Sequence, residues 1–325
     1  MFYWFVLAVA GLAHPPQRFE FEHAAMGTTF RIVLYAVDAE RGSQASAKAF
    51  RRIDALDRIL SDYDTSSEIS RLSTTAGSGQ WIAVSDDLWA ILEYSNSLAI
   101  ETGGAFDVTI GPLTRLWRWA SRREQLPDAD RIARARAAVG HTLVEFDTSV
   151  RRVRLTAPGM RLDVGAVGKG FAADAALEIL EREGIHRALV DAGGDVVASD
   201  APPGSSGWRV AVPELHGGTV ATRTVRIANC AVATSGDTYR YFEVDGVRYS
   251  HIIDPESGIG LTTRRIATVF APNATEADAL ASAVSVLDGA QAAKLLDARR
   301  DVSGSVYELD STNWQTVYAS SELPH

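Results

Sequence analysis

Helical and strand-like segments are intermixed along this chain without a regular strand–helix–strand repeat, and this order constrains the fold most. Apolar residues recur at helical spacing over 45–60, 86–100, 128–139, 167–184, 276–287 and 290–296. Segments typical of strands cover 27–36, 142–146, 151–156, 160–163, 187–199, 241–254, 266–271, 303–308 and 314–318, with turns inside 187–199 and 241–254. The order predicts an α+β fold, a single compact domain with a largely antiparallel mixed sheet flanked by helices.

The composition is that of a globular protein and argues against several functional classes. The 325 residues are 46% hydrophobic, which is enough material for a sizeable core. The net charge is −9 and no run of lysine or arginine stands out, so we expect no nucleic-acid partner. An anionic ligand would need a local cation or a metal ion. Cys230 is the single cysteine, which excludes an internal disulfide, and its surroundings predict an inert buried thiol.

The first residues read "MFYWFVLAVAGLAHPP" and contain an apolar run from Phe2 to Ala13. A membrane-spanning helix needs about 20 residues, so this run is too short to be one. Small residues near its end fit a secretory signal peptide over 1–14, although no basic residue precedes the run, and a buried first strand is the alternative. No cysteine follows for a lipid anchor. We therefore expect a mature domain over 15–325 that is periplasmic or secreted.

A glycine-rich stretch, "LDVGAVGKGFAAD" at 162–174, lies between a predicted strand and a predicted helix. Gly165, Gly168 and Gly170 expose backbone N–H groups at a helix N-terminus, where a phosphate can bind. Lys169 adds a positive charge there, and Asp163 ends the strand. The spacing matches neither the P-loop nor the dinucleotide-binding fingerprint. A tight turn without a ligand would use glycines as well.

Two oxygen-bearing side chains lie four residues apart in "EADALASAVSVL" at 276–287. On a helix, Asp278 and Ser282 face the same way. With a backbone carbonyl they can hold a small hard cation such as Mg²⁺, which prefers oxygen ligands. The alternative is that Asp278 only favours the first turn of the helix through the helix dipole.

Two further stretches suit a planar nitrogenous ligand. In "ETGGAFDVTIGPL" at 101–113 a helix ends at the glycine pair, and an extended segment then carries Phe106 and Asp107. In "LSDYDTSSEISRLS" at 60–73, Tyr63 is either a stacking platform or part of a helix-capping sequence.

The stretch "YSHIIDPESG" at 249–258 closes a hairpin whose Asp245-Gly246 pair predicts a type I′ turn. His251 precedes two isoleucines and an aspartate-proline turn. Core packing explains the isoleucines, and a pocket edge is the functional interpretation of His251. Small polar stretches, "LVDAGGDV" at 189–196 and "ATSGDTYRYF" at 233–242, precede it.

Together these motifs resemble, in order, those of the FAD:protein FMN transferases, the ApbE-like flavin transferases. The resemblance runs from "AMGTTF" at 25–30 to "ADALASAVSVLDG" at 277–289 and includes the S-x-Y-x-x-x-S-E pattern at 61–68. It implies an ApbE-like, T-fold-related α+β domain that splits the pyrophosphate of FAD, transfers FMN to a serine or threonine hydroxyl of a target protein, and releases AMP.

The resemblance also implies site residues. The implied FAD site is lined by Met26, Tyr63, Ala105, Phe106, Asp107, Asp163, Lys169 and Ile253. The implied Mg²⁺ ligands are the carbonyl of Ala166 and the side chains of Asp278 and Ser282, where the family usually has threonine. Because the attacking hydroxyl needs a proton acceptor near neutral pH, we expect His251 to be the catalytic base, with Asp254 as the alternative important group.

Two other functions fit the same residues. One is a Mg²⁺-dependent FAD pyrophosphatase, and the other is a non-catalytic secreted flavin-binding protein. The resemblance implies that Tyr63 favours transfer over hydrolysis, and a membrane redox subunit is a typical acceptor. The basic stretch "RLWRWASRREQ" at 115–125 is interpreted as a solvated helix face, with contact to an acceptor or an anionic membrane as the alternative, so we expect at most peripheral membrane contact.

Overall fold

The computed structural model describes residues 15–236, 241–310, 312–321 and 323. The predicted signal peptide at 1–14 lies outside these residues. The helices are α1 Ala39–Leu60, α2 Glu68–Thr74, α3 Asp86–Glu101, α4 Gly111–Arg123, α5 Ala129–Arg136, α6 Gly168–Arg182, α7 Ala274–Val286 and α8 Gly289–Asp297. Among the described residues, no helix is both long and apolar enough to cross a membrane.

The strands are β1 Gln17–Ala25, β2 Thr28–Ala36, β3 Ile82–Ala83, β4 Val144–Asp147, β5 Arg152–Leu155, β6 Ala188–Ala192, β7 Val196–Ala198, β8 Trp208–His216, β9 Thr219–Ile227, β10 Cys230–Gly236, β11 Tyr241–Val244, β12 Val247–Ser250, β13 Ile253–Asp254, β14 Ile259–Gly260, β15 Arg265–Ala271, β16 Ser303–Asp310 and β17 Asn313–Ala319. Eight of them form one sheet in the order β1-β2-β6-β7-β10-β15-β16-β17. Each neighbouring pair in this sheet is antiparallel.

The large sheet is covered on both faces, because its strands alternate side chains between two cores. On β2, Phe30, Ile32 and Leu34 enter the main core, where α1, α6 and α7 pack. Val33 enters a second core on the opposite face, beneath the β8–β9 hairpin with its buried Trp208. The sheet therefore holds the helix layer that carries the candidate site.

Most of the elements expected from the sequence are present, and the Asp245-Gly246 turn is confirmed by positive φ angles of 50° and 76°. Cys230 is half-buried in β10, and burial raises the pKa of its thiol. The β8–β9 hairpin was not expected, whereas helix α4 covers most of the basic stretch at 115–125 that was interpreted as a helix face. The predicted strand at 160–163 is wrong: only Arg161 bridges to Ile110, and the backbone N–H of Asp163 donates to the carbonyl of Val108.

Candidate active site

The turn between β1 and β2 places Met26 against the N-terminus of α6. Met26 and Gly27 have φ angles of 50° and 71°, the left-handed pair that a two-residue hairpin turn requires. Methionine rarely adopts this conformation, and here its N–H donates to the Asp57 carboxylate of α1 over 3.2 Å. A Cβ atom at Gly168 would lie 3.9 Å from Cε of Met26. The predicted FAD residue Met26 therefore adjoins the glycine-rich stretch.

Gly170 allows the N-termini of α6 and α7 to touch. A Cβ atom there would lie 2.2 Å from the carbonyl oxygen of Ala274, closer than side chains approach a backbone. The backbone N–H of Gly170 donates to Oδ2 of Asp278 over 3.1 Å. In turn, Asp174 of α6 accepts hydrogen bonds of 2.8 Å from the first two N–H groups of α7. This close approach brings Lys169 and Asp278 together although they are distant in sequence.

Lys169, Asp195 and Asp278 form a buried charge cluster, here called the Lys169 cluster. Nζ of Lys169 contacts Oδ2 of Asp195 and lies 3.8 Å from Oδ1 of Asp278. Asp195 and Asp278 are only 3% and 5% exposed. Burial raises the pKa of Asp195 to about 7, and the charge of Asp278 adds to this, while Lys169 opposes it. With both carboxylates ionised, the cluster carries one more negative than positive charge, which an additional cation would offset.

The predicted Mg²⁺ ligands fit this location. Ala166 is half-buried just before α6, and Asp278 and half-buried Ser282 lie one turn apart on α7. Within the described residues, no group of three or more His, Cys, Asp and Glu side chains is arranged to hold a metal ion. A cation here would therefore need a mixed set of carboxylate, hydroxyl and carbonyl oxygens, which are the ligand types that suit Mg²⁺.

Asp163 is held by a second group of charges, here called the Arg118 cluster, which comprises Arg118, Asp62 and Asp163. The guanidinium of Arg118 contacts Oδ2 of Asp62 and lies 3.0 Å from Oδ2 of Asp163. Thr114, one turn earlier on α4, donates to the same Asp163 oxygen over 2.8 Å. The other oxygen accepts from the N–H of Gly165 over 2.9 Å. Asp163 thus fixes the start of the glycine-rich stretch rather than ending a strand.

Tyr63 lies beside the Arg118 cluster. Its side chain is 75% exposed, and the guanidinium carbon of Arg118 lies 4.2 Å from its ring centroid. Ser67 caps α2, since its oxygen accepts from the N–H of Ser70 and its hydroxyl donates to the carbonyl of Ser61 over 2.6 Å. The capping interpretation is therefore confirmed for Ser67, whereas the role of the exposed Tyr63 ring as a stacking platform stays a prediction.

The glycine pair after α3 leads into turns rather than the expected extended segment. Asp107 is buried, and its Oδ1 accepts from the N–H and the hydroxyl of Thr109 over 2.8 and 2.7 Å. Its Oδ2 lies 3.7 Å from Nδ1 of His141. The ring of Phe106 is in the main core, and Ala105 is half-buried. Asp107 therefore shapes its own loop.

His251 is exposed and lies between β12 and β13. Asp254 closes the following turn, because its carboxylate accepts from the N–H groups of Glu256 and Ser257 over 2.9 and 3.2 Å. These two hydrogen bonds give Asp254 a structural role in the turn. Nε1 of Trp117 donates to the carbonyl of Gly258 over 2.8 Å.

Ile253 is buried against Leu113, Trp117 and Ala120 of α4. Helix α4 therefore anchors both the segment after His251 and, through Arg118, the Arg118 cluster. Its first turn contains Pro112, which suits a helix start. The interpretation of 115–125 as a solvated face holds for Arg115, Arg122 and Arg123, which are exposed, but is wrong for Arg118.

Sequence reasoning missed three charged side chains that the structure brings to the predicted residues. Asp195 follows the glycine pair of the "LVDAGGDV" stretch, Asp62 precedes Tyr63, and Arg118 lies in the basic stretch. An acidic residue directly after a glycine pair is the only signal that marked Asp195. Nothing local distinguished Arg118 from its solvated neighbours.

Comparisons with known proteins show the family of this chain. The model of the ApbE family matches residues 26–305. A relative from Klebsiella pneumoniae strain 342, named FAD:protein FMN transferase, is 34% identical over 81% of this chain and 76% of its own length. A relative of the same name from Escherichia coli K12 is 31% identical over 91% of this chain and 85% of its own length.

Solved structures give the same result. The apo form of the flavinyl transferase ApbE from Pseudomonas stutzeri is similar with a TM-score of 0.83 and 26% identity, covering 95% of this chain and 96% of that one. The flavin transferase ApbE from Vibrio cholerae has a TM-score of 0.83 and 25% identity, covering 94% and 98%. The expected α+β fold and family of transferases are confirmed, and this chain belongs to the ApbE family.

Proposed function

We propose that this protein transfers FMN from FAD to a serine or threonine hydroxyl of a target protein, releases AMP, and requires Mg²⁺. The observation that carries the proposal is the Lys169 cluster at the N-terminus of α6. There the side chain of Lys169 lies against the buried carboxylates of Asp195 and Asp278. The backbone N–H groups that we expected to be exposed are bonded within the protein, because those of Gly165, Gly168 and Gly170 donate to Asp163, Val164 and Asp278. Pyrophosphate is concentrated negative charge, which Lys169 and a cation held by the acidic residues would neutralise.

The reaction is a phosphoryl-group displacement at the FMN phosphorus. The acceptor hydroxyl oxygen forms a new bond to this phosphorus, the bond to the bridging oxygen breaks, and AMP leaves with that oxygen. Lys169 binds phosphate oxygens and stabilises charge that develops on them. Bound Mg²⁺ would polarise the phosphoryl group and neutralise charge, held by the carbonyl of Ala166 and the side chains of Asp278 and Ser282.

The proton of the hydroxyl needs an acceptor, and His251 is our candidate. A neutral imidazole accepts a proton near neutral pH without a large pKa shift. The side chain is exposed, so an acceptor protein can reach it. Its backbone is held because Ile253 packs on α4 and Trp117 anchors Gly258. His251→Ala should bind FAD like the wild type and lose most transfer. A wild-type transfer rate in this variant would refute the role of His251.

The flat groups of FAD require a different surface from the pyrophosphate. Tyr63 presents an open aromatic face at the Arg118 cluster, and Met26, Ala105, Asp107 and Ile253 are the further residues that we expect to line the site. The open face of Tyr63 supports transfer over hydrolysis in this proposal.

The acceptor and location are also proposals. We expect an extracytoplasmic acceptor such as a membrane redox subunit, which a secreted enzyme would meet at the membrane surface. N-terminal sequencing of the protein recovered from its native cells tests the location. A mature start after residue 14 would support export, and an intact Met1 would contradict it.

Release of AMP from FAD tests the cleavage step. The mature protein, FAD and Mg²⁺ are incubated with and without an acceptor domain that carries a serine/threonine flavinylation site. A transferase should release AMP in amounts equal to labelled acceptor, and chelation should stop it. AMP formed at the same rate without acceptor would indicate a pyrophosphatase. FAD binding without AMP would indicate a flavin-binding protein.

A further inference from the structure

We propose that Arg118 is a positioning residue that fixes the Tyr63 ring as a stacking platform for a planar ring of FAD. This inference deepens the proposed function and rests on it. It concerns a helix residue whose sequence surroundings indicate only a solvated surface.

Tyr63 contacts Arg118 and is otherwise open to solvent. The guanidinium carbon of Arg118 lies 4.2 Å from the ring centroid, within the range of a cation–π contact. The tyrosine side chain is nonetheless 75% exposed. One face of the ring is therefore backed by a guanidinium, while the rest is open to solvent. An exposed aromatic ring in a loop is ordinarily mobile, and this contact restrains it.

Arg118 itself is held in place by two carboxylates. Its guanidinium bonds both Asp62 and Asp163, whose side chains are 8% and 6% exposed. Planar guanidinium groups make such two-partner contacts with a fixed orientation. Asp62 is fixed too, because its carbonyl accepts a hydrogen bond from Arg161. Asp163 is held by Thr114 at the same oxygen that faces Arg118.

A restrained Tyr63 ring favours ligand binding. A platform whose orientation is fixed before the ligand arrives loses less conformational freedom on binding. The same arginine connects the platform to Asp163, whose other oxygen holds Gly165 at the glycine-rich stretch. Arg118 therefore sets the position of the stacking surface relative to the glycine-rich stretch that carries Lys169. The planar ring is adenine or isoalloxazine, and both share the flat surface that stacking requires.

The test is Arg118→Lys, which keeps the positive charge but lacks the planar fork. We expect the Kd for FAD, measured by flavin fluorescence, to rise roughly threefold to tenfold. At saturating FAD the rate of AMP release should fall by a smaller factor than the Kd rises, because Lys169 and Asp278 are unchanged. Arg122→Lys, one turn further along α4 and exposed, is the matched control and should leave both quantities unchanged.

A double-mutant cycle with Tyr63→Ala separates positioning from general structural damage. If Arg118 acts through Tyr63, then Arg118→Lys should change the Kd by less than about twofold once the ring is gone. An undiminished effect in that background, or no effect in the wild-type background, would overturn the inference. Failure of the wild-type protein to bind and cleave FAD would instead refute the proposed function, and this inference with it.

Discussion

The contact between the N-termini of α6 and α7 assembles the Lys169 cluster, and Gly170→Ala tests it directly. Alanine usually stabilises a helix relative to glycine by about 1 kcal/mol. Gly170 has no positive φ angle that would demand glycine. The added methyl group would nevertheless lie 2.2 Å from the carbonyl oxygen of Ala274, 2.6 Å from its carbonyl carbon and 2.9 Å from the nitrogen of Thr275. All three are backbone atoms, so no side-chain rotation relieves the overlap.

The size of the effect follows from these distances. Ordinary van der Waals contact begins at 3.4 Å, whereas the added Cβ atom would lie 2.2 Å from the carbonyl oxygen of Ala274. Helix α7 must therefore move away from α6 by about 1.2 Å. A shift of that size would break the 3.1 Å bond from Gly170 to Asp278 and the two 2.8 Å bonds from α7 to Asp174. Each such bond contributes about 1 kcal/mol, and overpacking adds a similar amount. We expect the free energy of unfolding to fall by roughly 2–4 kcal/mol.

The assay is urea denaturation followed by far-UV circular dichroism, with Gly168→Ala as the matched control. At Gly168 an added Cβ meets nothing closer than 3.6 Å, so this variant should stay within about 1 kcal/mol of the wild type. The rate of AMP release should fall in Gly170→Ala, because Lys169 and Asp278 move apart. Equal stability of the two variants would refute the account of this contact.

Three further predictions concern α6 and α7. Asp174→Ala should lower the free energy of unfolding by about 2 kcal/mol, because two N–H groups of α7 lose their acceptor. In the same denaturation assay, the exposed control Glu178→Ala should change this free energy by less than about 0.5 kcal/mol. Asp278→Asn should reduce Mg²⁺-dependent AMP release on the order of 100-fold, and a wild-type Mg²⁺ titration would contradict its role as a ligand. Ser282→Thr should bind Mg²⁺ about twofold tighter, since a β-branched side chain holds its hydroxyl in fewer rotamers, and an unchanged Mg²⁺ midpoint would contradict this.

Most of the fold could be predicted from the regular spacing of apolar residues and from local turn sequences. The helices at α1, α3, α6 and α7 follow from apolar periodicity, and the β11–β12 hairpin follows from Asp245-Gly246. These features are encoded within a few residues of one another. The strand expected at 160–163 is absent because this segment meets the turn at 106–110 only through Arg161 and Asp163. Its apolar residues Met160 and Leu162 are buried, and burial alone does not distinguish a strand from an irregular segment.

Long-range contacts explain what the sequence did not reveal about the candidate site. Gly170 is required by Ala274, which lies more than a hundred residues later, so the glycine pattern alone was equally consistent with an ordinary tight turn. Arg118 and Arg122 lie four residues apart in the same basic stretch, and only the fold turns one inward to Asp62 and leaves the other exposed. The β8–β9 hairpin was missed because few residues of either strand are buried and because β9 is rich in threonine and arginine.

We propose above that the FMN group of FAD is transferred to a protein hydroxyl and not to water. The most direct test of this proposal is the intact mass of an acceptor domain after incubation with the mature protein, FAD and Mg²⁺ in ¹⁸O-labelled water. The account predicts an acceptor heavier by one FMN less one water, without ¹⁸O in the new phosphoester and without any gain when the acceptor hydroxyl is removed. Unmodified acceptor together with free FMN or AMP that carries ¹⁸O would contradict it and identify a pyrophosphatase.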